Sequence, residues 1–368
     1  MIPNLMAEYD ETHTESLIWK LVRGALFQLQ PEKAHDLSML GLKQWQQLGA
    51  SRPLSAQWTR HPALNVARWG LNFPNPVGLA AGLDKDAKAV LAFQALGFGF
   101  LEVGTVTPRP QPGNPTPRLF RLKAQKAIIN RMGFNNDGVD ALVKRMQGYR
   151  ASGKLEVPVG VNIGKNADTP IEKAADDYLT CFQKVRAVSD YVVVNVSSPN
   201  TKDLRTLQLA ENLSGLLERL QEENEKGQAL PLLLKLSPDL NEQRALQSVQ
   251  IANDSGFAGV IISNTTIERP QVELPERYGA GGLSGAPLFK SSTSKLEFLV
   301  RHFSESSLDF VGVGGIMSGK DATAKRHAGA ALMQVYTGFI YGGPTFAADL
   351  CASLVQETKQ LSSTSISS

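Results

Sequence analysis

A cluster of uncharged polar side chains follows an apolar run in the stretch 191–205, YVVVNVSSPNTKDLR. The run at 191–194 is typical of a strand that is buried on both faces. Hydroxyls and amides come next, with a proline that cannot continue a central strand: Asn195, Ser197, Ser198, Pro199, Asn200 and Thr201. In isolation this composition favours a turn. Catalysis becomes the stronger interpretation if polar groups also follow other strands.

Polar groups do follow other apolar runs. Helical segments separate these runs and include residues 87–96, 139–145, 171–187, 212–225, 241–253 and 294–302. The predicted strands cover residues 77–80, 100–103, 157–161, 191–194, 232–236, 259–262, 309–313 and 331–335. Strands that alternate with helices predict a parallel sheet, and eight such units fit a closed (β/α)8 barrel of the TIM type. An open, doubly wound sheet is the alternative. The carboxyl ends of barrel strands form the active site, so these polar groups should line one pocket.

The predicted pocket contains amides, hydroxyls and two lysines, with scarcely a carboxylate. Lys85 follows the first strand, and Lys235 lies in the fifth strand, LLLKL. A cation beside an electron-rich ring is one way in which proteins tune a flavin. A salt-bridged core lysine is the alternative for Lys235, because lysine is almost never buried unpaired. The five histidines lie away from the strand ends, and no metal site is predicted.

Glycine-rich turns follow the last two strands, in VGVGGI (311–316) and YTGFIYGGP (336–344). Backbone N–H groups and a helix N-terminus commonly form a phosphate site at this place in a barrel. One glycine pair also fits an ordinary tight turn, but two such turns favour phosphate binding. A phosphate beside a ring of neutral donors indicates a phosphorylated cofactor, and a flavin fits these groups.

The composition restricts the possible classes of protein. The 368 residues are 42% hydrophobic and 20% charged, and their net charge of +3 implies no strong nucleic-acid field. Two cysteines alone cannot hold an iron–sulfur cluster or a thiolate zinc site. No apolar run reaches the roughly 18 residues of a membrane-spanning helix. The acidic N-terminus lacks the features of a signal or transit peptide.

Two amphipathic helices are predicted before the barrel, over residues 16–30 and 31–48, and residues 1–15 are predicted to be disordered. A short strand pair is predicted at 64–66 and 68–71. The helix pair has no role in a barrel itself, and its simplest function is a cap over the barrel mouth.

Nine motifs carry a resemblance to a known family, in order along nearly the whole chain. They are GLAAGLDKD (78–86), GTVTPRPQPGNPTPR (104–118), NRMGFNN (130–136), VNIGKN (161–166), NVSSPNT (195–201), SNTT (263–266), GGLSG (281–285), GVGGI (312–316) and YTGF (336–339). They resemble the dihydroorotate dehydrogenases of class 2, the quinone-linked branch. The resemblance implies FMN-dependent oxidation of dihydroorotate to orotate in pyrimidine (UMP) biosynthesis, with a membrane quinone as electron acceptor.

The resemblance also implies a role for individual residues, with Ser198 as the catalytic base. FMN should contact Ala81, Gly82, Leu83, Asp84, Lys85, Thr105, Asn162, Asn195, Lys235, Ser263, Gly285, Gly315, Tyr336 and Thr337. Dihydroorotate should contact Lys85, Asn130, Arg131, Met132, Gly133, Phe134, Asn195, Asn200, Asn264 and Thr265. A serine is a poor base at neutral pH, and no histidine or aspartate lies near Ser198 in sequence to activate it.

The same resemblance divides the chain at residue 50. Residues 1–50 become a membrane-associating quinone-site extension, and residues 51–368 the FMN-binding catalytic barrel. His35, Arg118 and Tyr336 are expected near the quinone, which is ubiquinone or menaquinone. The helices are expected to contact membrane lipid, and the missing transit peptide favours the cytoplasmic face of a bacterial cell membrane. No nucleic acid and no obligate protein partner are expected.

Two other functions remain open from the residues alone. One is a soluble flavin dehydrogenase that uses fumarate or NAD. The other is a phosphate-binding barrel lyase or isomerase without flavin. The colour of the purified protein separates the second from the redox enzymes, because a bound flavin is yellow.

Overall fold

The computed structural model describes residues 17–50, 53, 55–273 and 275–366. The predicted disorder of residues 1–15 and the predicted helix start at Ser16 lie outside the described residues. The strands are β1 (Val66–Arg68), β2 (Leu71–Phe73), β3 (Val77–Leu79), β4 (Phe100–Val106), β5 (Leu119–Leu122), β6 (Ala127–Asn130), β7 (Val159–Ile163), β8 (Tyr191–Asn195), β9 (Leu232–Leu236), β10 (Gly259–Ile262), β11 (Gly282–Gly285), β12 (Asp309–Val313) and β13 (Leu332–Val335). The α-helices are α1 (Leu17–Leu26), α2 (Pro31–Gln47), α3 (Ala56–Thr59), α4 (Val90–Ala95), α5 (Val139–Ala151), α6 (Ala174–Val185), α7 (Ala210–Glu225), α8 (Glu242–Asp254), α9 (Phe289–His302), α10 (Gly319–His327), α11 (Thr337–Gly342) and α12 (Phe346–Ile366).

Eight parallel strands close into a barrel in the order β10-β12-β13-β3-β4-β7-β8-β9. They are the eight strands that the sequence predicts, so the (β/α)8 prediction is confirmed and the open sheet is wrong. The strand ends shift slightly, and β4 continues to Val106 instead of ending at residue 103. The register aligns Asn195 of β8 with Lys235 of β9, and Gly104 of β4 with Asn162 of β7. Closure therefore brings polar strand ends to one level.

Aromatic side chains fill the opposite, N-terminal end of the barrel. A Cβ atom on Gly78 of β3 would lie 2.3 Å from the Phe100 ring, and one on Gly160 of β7 would lie 2.1 Å from the Tyr191 ring. Only glycine leaves room for these rings at the two positions. Phe73 of the β1–β2 hairpin packs edge-on against Phe100, with ring centroids 5.5 Å apart. This packing closes the end of the barrel away from the polar groups.

The helices predicted between the strands all form, with different ends. The segment predicted at 171–187 is a 3-10 turn, Ile171–Lys173, followed by α6. α4 begins at Val90 instead of residue 87, and α9 begins at Phe289 instead of residue 294. Three helices after β12 were not predicted: α10, α11 and α12.

Two small sheets lie outside the barrel. β1 and β2 pair antiparallel, two to three residues further along the chain than the sequence predicts. β11, β6 and β5 form a three-stranded antiparallel sheet that the sequence analysis did not predict. This sheet carries Asn130 at the end of β6 and Gly285 at the end of β11. It therefore presents predicted site residues from outside the barrel.

The helices α1 and α2 are attached to the barrel by specific hydrogen bonds. The Trp19 indole N–H donates to the Tyr341 carbonyl oxygen at 3.1 Å. Gln46 donates to the Tyr149 hydroxyl at 2.9 Å, and Glu32 pairs with Arg118 at 2.6 Å. α1 ends at Leu26, before the predicted residue 30. None of the helices in the described part of the chain is long and apolar enough to cross a membrane.

Candidate active site

A cavity of about 1010 Å³, including its open mouth, lies at the C-terminal end of the barrel. The predicted site residues that line it are Ala81, Gly82, Lys85, Thr105, Asn130, Met132, Gly133, Phe134, Asn195, Ser198, Asn200, Lys235, Ser263, Asn264, Thr265, Gly285, Gly315, Tyr336 and Thr337. The predicted cofactor and substrate residues outside this lining are Leu83, Asp84, Arg131 and Asn162. The fold thus brings most of the predicted site together in a space of the size typical for small ligands.

A buried ion pair lies at the floor of this cavity. Lys235 Nζ is 3.0 Å from Glu102 Oε1, and the two side chains are 6% and 0% exposed. Glu102 also accepts side-chain N–H groups from Asn162, at 2.7 Å, and from Gln334. Lys235 is therefore salt-bridged, as the alternative interpretation predicted, and it also lines the cavity. The lining itself contains no carboxylate among the described residues, as predicted, and Glu102 lies behind it as the counter-ion that the sequence analysis did not identify.

Hydrogen bonds continue from the ion pair to the ends of β8 and β10. Asn162 Oδ1 accepts the Thr105 hydroxyl at 2.5 Å and the Asn195 amide at 3.1 Å. Asn195 Oδ1 accepts the Ser197 hydroxyl at 3.1 Å. The Ser197 oxygen in turn accepts the Asn264 amide at 3.0 Å. Each amide faces a donor or an acceptor that fixes its orientation, so the network holds the strand ends in one arrangement.

Ser198 lies beside this network, lines the cavity and is 5% exposed. Its Oγ accepts the backbone N–H of Asn200 at 3.3 Å. Asn200 is held by Asn130, whose Oδ1 accepts its amide at 3.1 Å, and by Asn114, which donates to its carbonyl oxygen at 3.0 Å. Among the described hydrogen bonds, none joins Ser198 Oγ to a carboxylate or an imidazole. The loop orients the hydroxyl, and the fold supplies no conventional activating partner within these contacts.

Arg205 joins the two loops that carry these polar groups, a role that the sequence analysis did not assign. Its guanidinium donates to the carbonyl oxygens of Ser197, at 3.1 Å, and Thr265, at 3.3 Å. It also pairs with Asp239 at 2.8 Å. Its position directly after the polar stretch was a signal, but its carbonyl partners follow from the fold and not from residue types.

Lys85 places a second cation on the cavity wall. Its Nζ donates to the Gly82 carbonyl oxygen at 2.8 Å. Burial lowers the pKa of Lys85 from 10.5 to about 8, so the ammonium is charged at neutral pH and becomes neutral in mildly alkaline solution. An ammonium on a wall without carboxylates among its described lining residues suits an anionic ligand.

The glycine turns form the part of the wall that lacks side chains. Gly285, Gly314 and Gly315 line it together. Gly315 has φ 77°, and a Cβ there would lie 2.3 Å from the Cα of Phe289. Exposed backbone of this kind can form an anion-binding nest. Gln334 also lines the cavity, and its buried Oε1 has no hydrogen-bond partner among the described residues, which is typical of a group that meets a ligand.

The predicted residues outside the lining hold neighbouring loops. The Asp84 carboxylate accepts the backbone N–H groups of Lys88 and Ala89, at 2.7 and 2.8 Å, and burial raises its pKa. Arg131 donates to the carbonyl oxygens of Tyr278, at 2.7 Å, and Pro117, at 3.0 Å. With Asn162 in the network under the cavity, these residues support the walls.

A second cavity, of about 1530 Å³, lies between the helix pair and the barrel. Its lining is mostly apolar and includes Trp19, Phe27, Leu42, Trp45, Leu83 and Phe93. His35 and Tyr336 also line it, and Tyr336 lines the first cavity as well. Arg118, which was predicted to lie near the quinone together with His35 and Tyr336, does not line this cavity. Its guanidinium is paired with Glu32. Leu83, predicted to contact the cofactor, faces this second space.

Comparison with known proteins identifies the family. The family model described as dihydroorotate dehydrogenase matches residues 63–357, the barrel and its outer sheet. The chain belongs to the dihydroorotate dehydrogenase family. It is 49% identical to proteins named dihydroorotate dehydrogenase (quinone) from Burkholderia pseudomallei strain 668 and Burkholderia thailandensis. Each match covers 91% of this chain and 97% or 96% of the relative. The predicted membership of class 2 is confirmed.

Solved structures agree with this dihydroorotate dehydrogenase assignment. A crystal structure of DHODH from Eimeria tenella in complex with ferulenol superposes with a TM-score of 0.84 at 38% identity, covering 90% of this chain and 92% of that one. The ligand-free type from the same organism gives a TM-score of 0.83 at 39% identity, covering 90% and 96%. The shared fold extends beyond the barrel, since these matches cover nearly the whole chain.

Proposed function

We propose that this protein oxidises dihydroorotate to orotate with FMN as its cofactor and a membrane quinone as electron acceptor, in de novo pyrimidine biosynthesis. One observation carries this proposal: a polar cavity and an apolar cavity share a single side chain, Tyr336. Such a pair suits an enzyme that handles a polar substrate and an apolar acceptor at separate places. The names of the relatives support the same reaction.

FMN fits the chemistry of the polar cavity. The turns at Gly285, Gly314 and Gly315 offer backbone N–H groups for its phosphate. Lys235, Asn195 and the other strand ends offer hydrogen-bond donors for a flat heterocycle. When bound, FMN would supply two-electron redox chemistry: it would accept the hydride from dihydroorotate and pass two electrons to a quinone, which takes up two protons to become a quinol.

Dihydroorotate fits the asparagine-rich part of the same cavity. Its carboxylate is an anion for Lys85, and Asn130, Asn200 and Asn264 can pair with its amide edges. Ser198 Oγ would take the proton from one ring carbon as its own hydroxyl proton passes to a water molecule, while the hydride leaves the neighbouring carbon. The Asn200 N–H donates to Ser198 Oγ and would stabilise partial negative charge on this oxygen as its hydroxyl proton leaves.

The apolar cavity suits a quinone that enters from the lipid. His35 and Tyr336 are the polar side chains proposed to meet it, whereas Arg118 would act indirectly by anchoring α2 through Glu32. Leu37 lines this cavity and is 51% exposed, so the apolar surface reaches the outside of the helix pair. Residues 1–50 are thus proposed as the quinone-site extension, and residues 51–368 as the catalytic barrel.

Membrane contact is proposed through the outer face of the same helices. Leu21 and Leu40 are 68% and 52% exposed there, and Lys20, Lys33 and Lys43 lie on the same two helices. Exposed apolar and basic side chains on short helices suit the interface of an anionic membrane. A peripheral position on the cytoplasmic face of a bacterial membrane, without an obligate protein partner, is part of the same proposal.

Replacement of Ser198 by alanine tests the base. Ser198→Ala should keep FMN and dihydroorotate binding but slow the reduction of the flavin by dihydroorotate about 10²–10⁴-fold, because general-base catalysis is lost. Anaerobic single-turnover absorbance measures this step. Ser214→Ala, which alters a partly exposed serine on α7, serves as the matched control. Reduction by Ser198→Ala at the control rate across the pH range would show that another group takes the proton.

The pKa of Lys85 predicts a pH dependence of ligand binding. Orotate, an anion, should bind strongly below pH 8 and weaken above it as the ammonium loses its proton, by up to about tenfold per pH unit. Flavin absorbance reports the dissociation constant. Lys85→Met should bind orotate weakly at every pH, and Lys85→Arg should remove the pH dependence. Constant affinity from pH 6 to pH 10 in the unaltered protein contradicts the assignment of Lys85.

Charged substitutions on the outer helix face test the membrane contact. The double variant Leu21→Glu/Leu40→Glu should lose binding to anionic vesicles and turn over a long-tailed quinone poorly, because its helices no longer enter the interface. Turnover with a short-tailed, water-soluble quinone should be unchanged. Leu209→Glu, which alters an exposed leucine outside the helix pair, is the control. Equal vesicle binding by the double variant and the control would show that the helix pair is only a cap over the barrel mouth and does not bind the membrane.

A further inference from the structure

Glu102 accepts three side-chain hydrogen bonds inside the barrel. Its Oε1 accepts from Lys235 and Asn162, and its Oε2 accepts from Gln334. The Asn162 amide cannot be reversed, since its oxygen already accepts two donors. Glu102 Oε1, which accepts this amide, also faces the ammonium of Lys235, so the ion pair is held in one arrangement inside the barrel.

The two members of the ion pair lie at different depths relative to the cavity. Lys235 lines the cavity, whereas Glu102 does not and is fully buried behind it. Lys85 is the other charged side chain among the described residues of the lining. A flavin ring in this cavity would thus meet the ammonium of Lys235 first, with its counter-ion one hydrogen bond further away.

We propose that Glu102 is a positioning residue that holds Lys235 against the flavin and lowers the flavin's reduction potential by offsetting the lysine charge. This inference rests on the proposed FMN site. Reduction adds negative charge to the ring, so a nearby cation favours reduction and a nearby anion opposes it. In a dry site such charges act over several ångströms with little screening. The ion pair therefore leaves a cation beside the flavin ring, and the carboxylate behind it weakens the effect of this cation on the reduction potential.

This balance serves both halves of the reaction. An uncompensated Lys235 would favour the reduced flavin, which speeds hydride transfer from dihydroorotate and slows electron transfer to the quinone. Without the lysine, Glu102 would have the opposite effect. The buried pair keeps the potential between these extremes, so that the cofactor is reduced by one partner and oxidised by the other.

The test is the midpoint potential of the FMN-loaded protein with Glu102→Gln. The substitution preserves shape, and the unpartnered Gln334 Oε1 can accept the new amide after a flip of the Gln334 side chain. The potential should become more positive. Reduction by dihydroorotate should be as fast as before or faster, and reoxidation by a soluble quinone should be slower. Structural damage would slow both half-reactions, and a role in packing alone would leave the potential unchanged.

Two further variants control for charge and shape. Glu102→Asp keeps the charge and should keep the potential close to that of the unaltered protein, although it changes the packing. Lys235→Met leaves Glu102 uncompensated and should shift the potential in the negative direction. A Glu102→Gln potential that is unchanged or more negative overturns the proposal, and so does loss of FMN from that variant alone, because Glu102 would then be needed for binding and not for tuning. An unaltered protein that takes up no flavin would instead contradict the proposed function.

Discussion

Closure of the parallel sheet is the constraint on which the rest of the molecule depends. Once eight strands form a barrel, their carboxyl ends converge on one small area, and every polar group there must find a partner or a ligand. The aromatic packing of Phe100 and Tyr191 closes the other end of the barrel, so the polar ends face a single cavity. The network from Glu102 to Asn264 is the consequence: each amide and hydroxyl is oriented before a ligand arrives, which is how a site becomes preorganised.

The helix pair adds a space of the opposite character. Its inner surface and the barrel wall enclose apolar side chains, and the Glu32–Arg118 pair fixes the helix that carries His35. Tyr336 separates the two spaces and borders both. A polar reactant and an apolar reactant can thus approach one cofactor from different directions without sharing a binding site, which is the physical basis of the proposed electron transfer.

Much of this arrangement was predictable from the sequence, because strand periodicity and strand-end composition are local properties. The eight strands and the polar groups at their carboxyl ends were predicted in this way, whereas the individual cofactor and substrate residues were implied by the family resemblance. The interaction partners of individual side chains were not predictable. In the sequence, Glu102 looks like an ordinary strand residue. Only closure of the barrel brings it next to Lys235, which lies 133 positions further along the chain. The motif that contains Arg118 assigned this residue to the quinone, and the motif that contains Leu83 and Asp84 assigned them to FMN. The actual contacts of these three residues depend on how α2 and the loop before α4 pack, which their motifs do not show. The β11-β6-β5 sheet was missed because its strands are short and lie in polar loops.

The most direct test of the account is a sequential anaerobic experiment on the full-length protein, followed by flavin absorbance. The protein should be yellow as purified or after addition of FMN. Dihydroorotate should bleach the flavin band, and subsequent addition of a quinone without oxygen should restore it, with one orotate formed for each flavin reduced. A folded protein that takes up no flavin, or a flavin band that dihydroorotate leaves unchanged, would contradict the proposed reaction.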